Sequence, residues 1–94
     1  MKTYLGSNVK ILDLPLKKEW YNMIESGEKR EEYREIKPYW VKRLLKKNHH
    51  FTHVRFRYGY TKRTMLFRIE NIYIGRGNPK WGAPTDKNVF IIKF

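Results

Sequence analysis

Gly27-Glu28-Lys29-Arg30-Glu31-Glu32-Tyr33-Arg34-Glu35 joins a helical stretch to an extended one, and its reading decides how the chain is laid out. Upstream, Lys17–Ser26 carries Trp20, Met23 and Ile24 at i, i+3, i+4 spacing, which predicts a helix with these three facing inward. Gly27 follows where a helix needs a left-handed residue to stop. Downstream, Arg30–Glu35 reads as a strand. Alternation then sets Lys29, Glu31, Tyr33 and Glu35 on one face and Arg30, Glu32 and Arg34 on the other. The turn between the two elements thus presents a lysine, carboxylates and an arginine beside backbone that a ligand can approach.

Working outward, Val9, Ile11, Leu12, Leu14 and Leu16 form an apolar extended run cut by Pro15. Residues 1–9 are polar and expected to be loosely held. Lys17 and Lys18 stand at a helix start, where the dipole disfavours cations, a hint that they serve a ligand. Pro38 suits the first turn of a second helix. Its apolar side would be Tyr39, Trp40, Val41, Leu44 and Leu45, and its basic side Lys42, Arg43, Lys46 and Lys47. Asn48-His49-His50 reads as a turn. His53–Tyr60 alternates, with Val54, Phe56, Tyr58 and Tyr60 against His53, Arg55 and Arg57. In Met65–Ile74 the apolar phase switches near Glu70-Asn71, which predicts a bulge or a barrel corner. Gly75–Asn88 is a long loop holding Arg76, Lys80 and Trp81, and Val89–Phe94 is a dense apolar final strand.

The 94 residues fit one domain with a modest core, and 40% hydrophobic residues suffice to fold it. There is no cysteine, hence no disulfide framework and no thiolate metal site. No run is long enough to span a bilayer, so a cytoplasmic protein without membrane attachment is expected. The formal net charge is +12. Six of the nine acids lie between Glu19 and Glu35, whereas Ile36 to Ile69 holds ten Lys or Arg, three His and no acid. So one-sided a field attracts polyanions, of which nucleic acid is the commonest. His49, His50 and His53 have no acid or cysteine nearby and no helical ligand spacing, so no metal site is expected. No cofactor is expected either. No Ser-His-Asp arrangement or phosphate-loop motif can be assembled.

The stretch Gly27-Glu28-Lys29-Arg30-Glu31-Glu32-Tyr33-Arg34 resembles the Gly-x-Lys-x-x-Glu-x-Arg signature of the ASCH domain family, a branch of the PUA-like superfamily. Leu16-Lys17-Lys18-Glu19-Trp20 and Met23-Ile24 look like that family's first helix, and the resemblance runs from about Ile11 to the C-terminus. It implies an α+β fold: a small PUA-like mixed β-barrel of five to six strands with two helices, with a cleft that binds RNA. Some members act on RNA or modified nucleosides. Relatives that deacetylate acetylated cytidine resemble this chain at Gly27, Lys29 and Arg34. They use a Thr three residues after the motif Lys as nucleophile, together with a later Glu. Here Glu32 stands at the Thr position, Glu70 is the match for the later Glu, and Thr61 and Thr64 match nothing in the motif.

The expectation is therefore a module that binds RNA, or a nucleotide within it, in a cleft between the Gly27–Lys29 turn and the later strands. Lys29 and Arg34 would bind phosphate or a base edge, and Glu32 would order them or accept from a base amine. Tyr58, Tyr60 and Trp81 are the stacking candidates. Lys18, Arg57, Lys62, Arg63 and Lys80 would supply sequence-independent attraction. The alternative is an enzyme in the same cleft, a ribonuclease or a nucleoside amidohydrolase, with Lys29, Glu32 and Glu70 as its catalytic groups. Outside that role Glu70 would pair with Arg55 or Arg57 across the sheet. A third reading is an interaction module for an acidic protein. A monomer or weak dimer is expected.

Overall fold

Strand β1 (Ile11–Leu16) opens the order, followed by helix α1 (Lys18–Glu25), β2 (Glu31–Arg34), helix α2 (Pro38–Leu44), β3 (His53–Tyr58), β4 (Thr64–Arg68), β5 (Asn71–Gly75) and β6 (Val89–Lys93). A short 3-10 turn at Pro79–Trp81 interrupts the last loop. The computed structural model describes residues 9–45 and 50–94. The expectations for residues 1–8, for Lys46 and Lys47, and for the turn at Asn48 and His49 lie outside the described residues. None of the described helices is long and apolar enough to cross a membrane.

The six strands hydrogen-bond as two three-stranded sheets, β1-β3-β4 and β2-β6-β5. β1 runs parallel to β3, and every other pairing is antiparallel. Among the described residues these ladders do not run round into one closed barrel. The sheets share a core instead. Leu12, Leu14, Leu16, Val54 and Phe56 from the first sheet pack with Phe90 and Ile92 of β6, with Phe94, and with Tyr21, Ile24 and Leu44 from the helices. The opposite face of β6 presents Val89 and Ile91, which a second cluster of Tyr33, Ala83 and the half-buried Trp81 covers. A central strand enclosed on both faces reads as the continuous apolar run that closes the sequence.

The change of apolar phase at Glu70-Asn71 is where the chain leaves one sheet for the other, β4 ending at Arg68 and β5 starting at Asn71. β1 runs on through Pro15, because among the described residues it pairs only with β3 and its other edge needs no amide donor. The cross-strand ion pair of β3 differs from the expected one. Register sets Asp13 opposite Arg55, and the guanidinium Nε reaches Oδ1 at 2.6 Å. That bond holds the Asp13 carboxyl below the usual carboxylate range. Glu70 pairs with neither Arg55 nor Arg57. On α1 the buried residues are Tyr21 and Ile24, with Trp20 and Met23 only half-covered. On α2 only Leu44 is buried, while Tyr39 and Leu45 face outward.

Two glycines fix the path around the motif for different reasons. Gly27 ends α1 at φ 89°, and a Cβ there would meet nothing within 4 Å. Gly77 crosses the Tyr33 ring so closely that a Cβ would fall 2.5 Å from its Cε1 and 2.6 Å from the Ala83 Cβ. Gly27→Ala therefore meets only the backbone penalty of a left-handed residue, about 1 kcal/mol. Gly77→Ala must displace an aromatic ring, and urea unfolding should show the larger loss, about 2–3 kcal/mol. Equal losses would contradict this packing.

Candidate functional site

The turn after α1 is tied down before the motif lysine begins. Gly27 N–H donates to the Ile24 carbonyl at 3.0 Å, and Lys29 N–H reaches back to the Met23 carbonyl at 3.0 Å. Lys29 therefore precedes β2 and escapes the strand's alternation. Its side chain points inward and is completely buried. The ammonium donates to the Trp81 carbonyl at 2.5 Å and lies 3.2 Å from Glu32 Oε1. It also sits over the rings of Tyr33 and Trp20, at 4.8 and 5.3 Å from their centroids. Burial lowers the Lys29 pKa from its ordinary value, against the opposing pull of the Glu32 carboxylate.

Within β2 the expected alternation holds. Arg34 Nη1 donates to Glu32 Oε2 at 2.5 Å on one face. On the other, the Tyr33 hydroxyl donates to Glu31 at 2.7 Å and accepts from the Asn78 N–H at 3.0 Å. The carboxylate of Glu32 is thus held between Lys29 and Arg34. Both hydrogen bonds of Arg34 leave from Nη1, so among the described residues its Nε and Nη2 remain as donors for a ligand. The guanidinium also lies 5.5 Å from the Trp40 ring centroid.

A cleft of about 230 Å³ opens against this group, lined by Pro15, Leu16, Lys17, Trp20, Glu32, Tyr33, Arg34, Trp81 and Gly82. Gly82, at φ 102°, lets loop backbone lie against the Trp20 indole, and a Cβ there would stand 3.2 Å from Cζ2. Lys29 is the lysine behind the wall and Lys17 the lysine on it. A second groove of about 280 Å³, lined by Pro15, Leu16, Lys17, Lys18, Gly59 and Tyr60, shares the first three residues with the cleft.

The sequence-derived candidates divide by place. Glu32, Arg34 and Trp81 line the cleft, with Lys29 beneath them. Lys18, over the Tyr58 ring at 5.2 Å, and the exposed Tyr60 belong to the second groove. Lys62 and Lys80 are exposed. Three candidates are committed to the fold. Arg57 donates to the Thr61 carbonyl at 3.1 Å and lies 3.9 Å from Asp13. Arg63 meets both Glu25 oxygens at 2.8 Å and stacks on Tyr21 and Tyr58. Tyr58 packs edge-on against Tyr21 at 5.1 Å. Glu70 lines a different groove, with His50, Phe51 and Asn71. Sequence reading assigned Trp20 to plain core, because an aromatic at helical spacing looks the same whether it faces a core or a cleft wall. No three metal-ligating side chains converge among the described residues. In comparisons with protein-family models, curated proteins and solved structures, nothing matches the chain.

Lys29→Met should destabilise the fold by about 1–3 kcal/mol, since it leaves the Trp81 carbonyl without its donor and takes one of the two cations from the buried Glu32 carboxylate. Adding Glu32→Gln to it should cost less than the sum of the two single changes, because their ion pair is removed as a unit. Chemical denaturation of the four proteins measures this. A second expectation concerns Tyr33, whose hydroxyl burial drives well above the ordinary tyrosine value. The unfolded chain then loses that proton near pH 10 while the folded chain keeps it, so stability present below pH 10 is lost above it. Relative to Tyr33→Phe, the wild type should lose stability as pH rises beyond about 10, and parallel curves would show a solvent-like phenol.

Proposed function

We propose that the chain is an ASCH-type domain of the PUA-like superfamily, its two sheets a barrel parted along the seams, and that it binds RNA through one nucleotide held in the cleft beside Glu32 and Arg34. The observation that carries this reading is an ordered carboxylate–guanidinium pair that lines one cleft together with two tryptophans. A base has an edge of donors and acceptors and a flat face. Glu32 supplies the acceptor for an exocyclic amine, Arg34 the donors for a carbonyl or phosphate, and Trp20 and Trp81 the apolar walls. Lys17 on the wall adds positive charge, and Lys80, the exposed residue before Trp81 in sequence, adds more near the same loop.

The burial of Lys29 favours recognition over catalysis. A general base must reach the proton it removes. The Lys29 ammonium lies behind the cleft wall with its hydrogen bonds directed at protein acceptors. Its role in this reading is to hold Glu32 in place.

Titration of labelled single-stranded RNA of mixed sequence should show binding that weakens steeply with salt. Arg34→Lys keeps a cation against Glu32 but loses the planar fork, and should weaken binding about tenfold at unchanged melting temperature. No salt-dependent binding by the wild type would overturn the proposal. Cleavage of the RNA, or deacetylation of acetylated cytidine, would replace it with an enzymatic reading.

A further inference from the structure

The cleft and the second groove are two sides of one rib. Pro15, Leu16 and Lys17 line both, so the grooves adjoin along that segment. The rib is fixed: Leu16 belongs to β1 and is buried, and its carbonyl accepts the Gly59 N–H at 2.9 Å. That bond draws the turn after β3 against the rib. Gly59 stands at φ 59°, and the Tyr60 that follows it is 94% exposed. A tyrosine that projects this far into water contributes almost nothing to the core, yet the turn holds it at the rim of a groove. Lys18 lies along the same groove, its stem 3.9 Å from where a Gly59 Cβ would stand and its ammonium over the Tyr58 ring. An aromatic face beside successive cations is the pattern that takes a base and its phosphate in single-stranded nucleic acid.

We infer that this groove is a second nucleotide subsite: an RNA strand crosses the Pro15–Lys17 rib, its backbone phosphate meeting Lys17 and Lys18 and its next base stacking on Tyr60. This rests on the proposed function, because it extends the strand whose first nucleotide lies in the cleft. It gives the site a footprint of two nucleotides and a direction across the β1–α1 junction. The fold supports the division of labour. The cleft reads a base edge with Glu32 and Arg34, whereas this groove offers a ring and two ammonium groups and no carboxylate among its lining residues. The second position should therefore be tolerant of base identity.

The test compares ligand lengths by calorimetry. The four ribonucleoside 5′-monophosphates are titrated first, then the dinucleotides that extend the tightest of them at either end. The wild type should bind one dinucleotide series about tenfold more tightly than the mononucleotide, whichever base is added. Tyr60→Ala should remove most of that gain while leaving mononucleotide affinity within about twofold, and Tyr60→Phe should retain it. Tyr60 is almost fully exposed, so both variants should fold as the wild type does. A dinucleotide no tighter than its mononucleotide, or a gain that survives Tyr60→Ala, overturns the second subsite and leaves the first standing. Failure of every mononucleotide and dinucleotide to bind overturns the proposed function, and this inference with it.

Discussion

A single ammonium group connects parts of this molecule that lie far apart in sequence. Lys29 Nζ binds the Trp81 carbonyl from 52 positions away, the Glu32 carboxylate of β2, and the rings of Trp20 and Tyr33. Burying a charge costs several kcal/mol even when it is paired, and replacing a whole buried ion pair by apolar residues of similar volume is often neutral or stabilising. The arrangement is therefore poorly explained as a stabilising device. What it fixes is geometry. It ties the Glu32 carboxylate, the Trp81 backbone and the Trp20 ring to one point. Each of those residues lines the cleft, and the lysine lies behind them.

Among the described residues the shortest ion pairs join acids to arginines, while Glu35 meets Lys37 and Lys87 at 3.5 and 3.4 Å. Asp13 holds Arg55, Glu25 holds Arg63, and Glu32 holds Arg34, each at 2.8 Å or less. The planar guanidinium suits such fixed pairing, whereas a lysine ammonium stays well hydrated at the end of a flexible stem. Lys17, Lys18, Lys62 and Lys80 accordingly remain on the surface, without an ion pair among the described residues. Net charge alone does not separate these populations. Arg57 and Arg63, which sequence counts as equals of Lys18 and Lys80, differ from them in having carboxylate partners.

Much of the fold was legible because its signals are local. Spacing marked α1, Gly27 marked its end, Pro38 marked the start of α2, and the phase change at Glu70-Asn71 marked the passage between sheets. The sheet partition was not legible, since it depends on which strands meet across long separations. The site was legible in its residues and obscure in its contacts. Alternation placed Lys29 on the face opposite Glu32, but the lysine lies before the strand and reaches Glu32 from the turn. Trp20 packs against the core, as its spacing suggested, and also lines the cleft, which helical spacing does not reveal. Asp13 was overlooked as the partner of Arg55 because a parallel pairing of residues 42 apart leaves no local trace.

Pro15 joins these observations. In an apolar strand a proline usually signals interruption, since it cannot donate to a ladder. Here it sits on the free side of β1, one residue before Leu16 accepts the Gly59 amide and two before Lys17 reaches the cleft. Its fixed φ stiffens the backbone between the two grooves. Its missing N–H also makes that edge a poor template for adding another strand.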